Sequence, residues 1–207
     1  MKRLILQLLG LLVCLQSCKA QQKTMEDQEI IIPKIDNKFE KFDIDKFNPL
    51  EDNLVIKLDK YYIKRLKQSF GFAEHLILEN AFFSIFKLYF DNGYIKEKGI
   101  SFNNGSEYGI WYEFDQEGNL INETNTDTGY DFGWKKVILY CEAHKIPLTK
   151  GYVTSGFQTT IYKEKNEQGA NVWVITYQIA GDQLLELTLD GKTGKELNRK
   201  KLEFINP

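Results

Sequence analysis

Two histidines, three cysteines and a few closely spaced carboxylates are the residues that could do chemistry in this chain of 207 residues. Cys141, Glu142 and His144 fall within four positions of one another. A zinc site needs three or four ligands at workable spacing, and only Cys141 and His144 could share one face of a helix. Cys141 lies on an apolar stripe and reads as a small buried core thiol. His144 sits where a helix C-terminus would favour a cation, and His75 reads as an exposed strand residue. Asp127 and Asp131 are close in sequence, but acidic residues gathered in a loop are ordinarily solvated. Thr154-Ser155-Gly156 lacks the flanking pattern of a nucleophile elbow. Asp190 to Glu196 lacks the alternating ligands of a calcium loop. No glycine-rich phosphate cradle is present. These residues define no catalytic set, no metal site and no cofactor, so a hydrolase is the least favoured reading.

The start of the chain carries a different kind of chemistry. Lys2 and Arg3 precede an apolar run, Leu4 to Leu15, interrupted only by Gln7 and Gly10. Twelve helical residues would span about 18 Å, short of a hydrocarbon core of roughly 30 Å, so the run reads as a signal-peptide core. It ends in Leu15-Gln16-Ser17-Cys18, which resembles the lipobox of bacterial lipoproteins. The resemblance implies cleavage after residue 17, lipidation of Cys18 with diacylglycerol and an amide-linked acyl chain such as palmitate, and anchoring to a membrane of the bacterial cell envelope. A single acyl chain binds only marginally, whereas several hold firmly. Inner membrane, outer membrane and cell surface all stay open.

Removing Lys2 and Arg3 from the 27 basic residues leaves 25 against 29 acidic ones, a net charge of −4. Both signs are interspersed without a basic block, which argues against nucleic acid as a partner. Cys14 leaves with the signal peptide and Cys18 carries lipid. Cys141 is then the sole thiol, and stability must come from a hydrophobic core rather than a disulfide.

The elements that would position any site follow from turn signals and periodicity. Residues 18–48 read as a tether: a polar, aperiodic stretch, Glu29 to Pro33 as a short edge strand, then Phe39, Phe42 and Phe47 among lysines and aspartates, with the rings tucked against the body. Leu54 to Asn80 suits a pair of strands broken at Ser69-Phe70-Gly71. From Phe82, short strands alternate with Asp91-Asn92-Gly93, Asn103-Asn104-Gly105-Ser106 and Gln116-Glu117-Gly118-Asn119, the signature of an antiparallel meander. Trp134, Val137, Ile138 and Cys141 then fall at i, i+3, i+4 and i+7, predicting a helix over 133–145 that Pro147 would end. Strands at Phe157 to Lys163, Val172 to Gln178 and Leu184 to Leu189 complete a three-stranded meander. The fold class expected is α+β, a predominantly antiparallel β meander with one main helix packed on the sheet. Its parts are a signal peptide at 1–17, the tether at 18–48, a β-rich region at 49–132, and the helix with its meander at 133–207.

Two further resemblances rest on motifs. A unit occurs twice, as Tyr89-x-x-Asn92-Gly93-x-Ile95-Lys96 and as Phe114-Asp115-x-x-Gly118-Asn119-Leu120, the second preceded by Gly109-x-Trp111-Tyr112. It resembles the variant MORN repeat of bacterial lipoproteins and antitoxin-like proteins, which implies stacked hairpins and no catalytic residues. Trp173-Val174-Ile175-Thr176-Tyr177 followed by Asp190-Gly191-Lys192-Thr193-Gly194 resembles the PepSY-like domain, which implies a binding or inhibitory fold. Together these imply a non-catalytic envelope lipoprotein that binds a protein partner, with an immunity or inhibitor protein against a toxin or protease as the alternative. If exposed, Trp111 and Tyr112 would form a binding surface.

Overall fold

The computed structural model describes residues 29–48 and 54–203. The signal-peptide core and Cys18 lie outside the described residues. Eleven strands and one helix are present among the described residues. Strands β1 (Ile56–Leu58), β2 (Tyr61–Gln68), β3 (Gly71–Leu78), β4 (Phe83–Tyr89), β5 (Ile95–Phe102), β6 (Glu107–Phe114) and β7 (Leu120–Asn125) form one sheet in sequence order, each antiparallel to the next. Helix α1 (Trp134–Ala143) follows, then β8 (Thr160–Lys165), β9 (Asn171–Ala180), β10 (Gln183–Asp190) and β11 (Glu196–Glu203) in a second antiparallel sheet. The α+β class expected from the sequence, dominated by an antiparallel β meander with one helix, is the fold observed.

Local turn chemistry explains why neighbouring strands pair. Gly118 adopts φ 89°, and Asp115 Oδ1 accepts the Glu117 and Asn119 amides at 3.1 and 2.8 Å. The same device recurs in the second sheet: Gly169 adopts φ 76° and Asn166 Oδ1 accepts the Gln168 and Ala170 amides. An Asx side chain that substitutes for a backbone acceptor, followed by glycine in the left-handed region, closes each hairpin without strain. The two repeat turns also sit side by side, with Asn92 Nδ2 donating to Gln116 O at 3.2 Å.

Helix α1 ends at Ala143, before Pro147. The Ile146 amide reaches Cys141 O at 2.8 Å and the Lys145 amide reaches Glu142 O at 3.1 Å, with Lys145 itself at φ 56°. That pair of bonds satisfies carbonyls the helix leaves open and turns Ile146 into the core. The buried face is Trp134, Val137, Ile138 and Cys141, as the spacing predicts.

One core joins the two halves. Phe83, Ile100 and Phe102 of the first sheet, the buried face of α1, and Ile161, Trp173, Ile175, Leu187 and Leu189 of the second sheet belong to a single cluster. Trp134 is its hub, stacked on Phe102 at 5.3 Å and edge-on to Trp173 at 4.7 Å. A seam adds to it: the β5–β6 turn pairs with β8, the Ser106 amide donating to Ile161 O at 3.0 Å and the Ile161 amide to Asn104 O at 3.1 Å. A Cβ on Gly105 would sit 1.9 Å from Ile161 O, so the close approach depends on glycine there. Residues 54–132 and 133–203 therefore share a core.

Three expectations change. Of the stretch read as a tether, residues 29–48 belong to the folded body. Ile30, Ile32 and Ile35 pack on the main cluster, and Phe42 is 6% exposed in a second cluster with Phe72, Tyr89, Ile95 and Phe114. Ile30 to Ile32 form no strand. The second sheet has four strands rather than three, because Glu196–Glu203 pairs with β10 along its length.

Residues 36–47 form a strap across the first sheet. The Phe42 amide donates to Gly93 O at 2.7 Å, and the Ile95 amide to Glu40 O at 3.0 Å. Under the strap, Lys98 has a fully buried side chain whose Nζ donates to Glu40 Oε1 and to Lys38 O, both at 2.6 Å. Lys87 grips the other oxygen of Glu40. Burial opposes ionisation of Glu40, but hydrogen bonds from Lys87 and Lys98 and their charges outweigh it and hold the carboxyl below its ordinary value.

Candidate binding edge and groove

The residues singled out for chemistry are mostly occupied with structure. His75 is half-buried rather than exposed, with Nε2 2.7 Å from Ser84 Oγ. Burial, and then the charge of Lys64, lowers its pKa, so it resists protonation. His144 caps α1, its Nδ1 2.8 Å from Tyr140 O and its ring stacked on Tyr140. Cys141 is a buried thiol pushed up to about 12 by burial and the nearby charge of Glu142. A thiol held that far from ionisation is a poor nucleophile. Asp127 pairs with Lys163 across the two sheets, and Asp131 accepts Lys136 Nζ only through its backbone carbonyl. Asp190 turns its carboxylate onto the Lys192 and Thr193 amides and the Thr193 hydroxyl, closing the β10–β11 turn.

Trp111 and Tyr112, read as a binding surface, do not form an exposed aromatic patch. Trp111 is 9% exposed and its indole nitrogen donates to Ile100 O at 2.9 Å. Its ring fills the space over Gly99, where a Cβ would approach within 2.2 Å, and it stacks on Phe86. A glycine opposite a tryptophan in neighbouring strands is a signal of such a dent. Tyr112 points to the opposite face and packs on the Phe42 cluster.

What remains open lies one strand further out. All six residues of β7 are exposed, with Ile121 at 61% and Leu120 at 39% at its start, and Ile110 of β6 is exposed at the other end, opposite Asn125. Outward of β7 no further strand pairs with it among the described residues, but at its far end Asn125 O accepts the Thr128 amide at 3.3 Å and the Thr128 hydroxyl at 2.9 Å. At the turn end of the same edge is a shallow groove of about 700 Å³ walled by Phe90, Ile121, Glu97, Glu113, Asp115 and Glu117.

The electrostatics of this groove are uneven. Glu97 and Glu113 are direct cross-strand partners in the β5–β6 register, an arrangement that is destabilising for like charges. Neither carboxylate has a lysine or arginine within ion-pair distance among the described residues; Glu113 accepts only Asn122 Nδ2, at 3.1 Å. Burial, then the charges of Glu113 and Glu107, raise the Glu97 carboxyl above its ordinary value. Lys96, on the groove wall, lies over the rings of Phe70 and Phe90, and its charge offsets only part of that rise. Asp115 is the exception: side-chain and backbone hydrogen bonds from Asn119 hold it low.

This edge carries no aromatic signature in the sequence, so aromatic spacing does not mark it. Its signal was available: after the Gly118 turn, Leu120-Ile121-Asn122-Glu123-Thr124-Asn125 contains no lysine, arginine or proline to blunt an edge. Comparisons with family models, with curated proteins and with solved structures find no match to the chain. The likeness of residues 89–120 to MORN-type units and of the C-terminal half to PepSY-like domains thus rests on the quoted motifs.

Proposed function

We propose that the protein is a non-catalytic lipoprotein of the bacterial cell envelope, anchored through lipid on Cys18, that binds a protein partner through its seven-stranded sheet. The observation that carries the binding role is β7, an outermost strand exposed along its whole length, with Leu120 and Ile121 at its start and Ile110 of β6 beside its end. Exposed apolar side chains next to an unpaired strand edge mark interaction surfaces, because both gain from being covered. The anchor is supported by the basic start, the short apolar core and the Ser17-Cys18 step. No helix among the described residues is long and apolar enough to cross a membrane.

The test uses the full chain in its own envelope. A photoreactive residue at Ile121 should give a discrete protein adduct, and Cys18→Ala should release the protein from the membrane fraction. Failure to form an adduct from positions spread over the whole surface would remove the binding role. A mature N-terminus without a mass increase would remove the anchor.

A further inference from the structure

Four strand edges end the two sheets, and three of them are guarded. The edge of β8 is covered by the β5–β6 turn through Asn104, Gly105 and Ser106. Strand β11 carries Arg199, Lys200 and Lys201 along its centre. Strand β1 is only three residues long. Coverage, cationic side chains and shortness are the means by which sheets resist pairing with another chain. Strand β7 has none of these along its centre; a bulge at Glu113–Phe114 and the Thr128 contact to Asn125 O mark its two ends, and Glu123 is its one charge.

The direction of its free groups follows from the ladder. The Thr126 amide donates to Gly109 O at 2.9 Å. Antiparallel alternation then turns the amides of Thr124 and Asn122 towards β6 and that of Glu123 outward. Behind this edge the groove holds the Glu97–Glu113 pair, two half-buried like charges with no ion pair of their own, the Lys96 ammonium of the groove wall lying over Phe70 and Phe90. A positive side chain reaching Glu113 across β7 offsets part of the repulsion that this pair carries. Ile121 and Phe90 offer apolar contact to the stem of such a side chain.

The geometry points to β7 as the docking edge for an extended, lysine- or arginine-bearing segment of a partner protein, added as an eighth strand with a cation leaning across β7 towards Glu113. This rests on the reading of the chain as a partner-binding protein and names the chemistry of the partner. Main-chain bonds to β7 supply the pairing, and alternate side chains of the added strand supply selectivity. A segment with basic residues at alternate positions would direct all of them to the groove face.

The experiment uses the mature chain and two blocked eight-residue peptides, one alternating lysine with valine and one alternating glutamine with valine. The lysine peptide should slow amide exchange at Glu123 at least tenfold, and should bind at least fivefold more tightly than the glutamine peptide. That advantage should shrink as salt is raised. Glu123→Pro removes the outward donor at a position where an edge tolerates proline, and should weaken binding of the lysine peptide at least tenfold. Glu113→Gln should weaken the lysine peptide severalfold while raising the Tm of the free protein, since it dissolves the like-charge pair. The second variant keeps the question answerable if the first does not fold. Equal binding of both peptides, or protection confined to another surface, overturns the assignment. An in-cell adduct formed elsewhere, with none at Ile121, removes the edge but leaves the binding role; no adduct anywhere removes both.

Discussion

Lys98 and Lys163 occupy equivalent places, each buried on the inner face of its sheet, yet their charges are compensated differently. Lys98 is wholly enclosed and faces two acidic residues of the strap, Glu40 at 2.6 Å and Asp36 at 3.6 Å. Lys163 has a side chain 7% exposed, and donates to Glu107 O and Thr126 O at 2.8 Å and to the Asp127 carboxylate. Tyr130, Trp134 and Trp173 present their rings to it at 5.4 to 5.8 Å. Burial lowers the pKa of Lys163, and the hydrogen bond and charge of Asp127 recover only part of it. The first lysine thus holds a distant segment of chain by opposite charge. The second ties together two sheets that already share a core. A lysine whose partners are carbonyl dipoles and ring faces depends less on any one of them than a lysine whose main partner is a carboxylate.

The comparison is broken or sharpened first by removing the cations. Lys98→Met should cost about 3 kcal/mol in urea unfolding, because it strands Glu40 with only Lys87. Adding Glu40→Leu should recover only part of the loss, because Lys87 then loses its carboxylate partner. Lys163→Met should cost less, about 2 kcal/mol for its charged hydrogen bonds, since Asp127 can turn to water. If Lys163→Met is the costlier change, the contrast is wrong.

A smaller effect is expected in acid. The folded protein holds Glu40 ionised below its ordinary value of 4.5, so the unfolded chain takes up its proton first as pH falls. The stability contributed is complete above that value and is lost as pH drops through the lower folded one. The slope of stability against pH below 4.5 should therefore be shallower in Glu40→Gln than in the parent. Identical slopes in the two proteins would mean that the clasp is not what titrates.

Much of the fold could be read because its signals are local. Asp115 and Asn166 each close a turn with a glycine three residues on, and α1 shows its period within eight residues. The strap could not be read, because the partners of Glu40 and Phe42 lie some fifty residues away and its own residues have no period. Strand β11 was missed for a related reason: Leu197 and Leu202, five positions apart among charges, show no alternation. Trp111 was misjudged because its environment depends on Gly99, which only the β5–β6 register brings opposite. The open edge was harder still, since an unpaired strand is defined by what does not lie beside it.

The strap also has a consequence for the order in which the protein assembles. Each hairpin of the meander closes a loop of a few residues, whereas the bond from Lys98 to Glu40 closes one of 58. Long closures cost more entropy and cannot be rewarded until both sides of the contact exist. The sheet must present Lys87, Lys98 and the Gly93 turn before residues 36–47 have anything to grip. In pulsed hydrogen exchange during refolding, the amides of Phe42 and Ile95, which bond across the strap, should gain protection after those within β3 and β4. The earliest described residues of the chain are then among the last to settle, and a late-closing clasp leaves the aromatic cluster around Phe72 and Tyr89 uncovered until the final step.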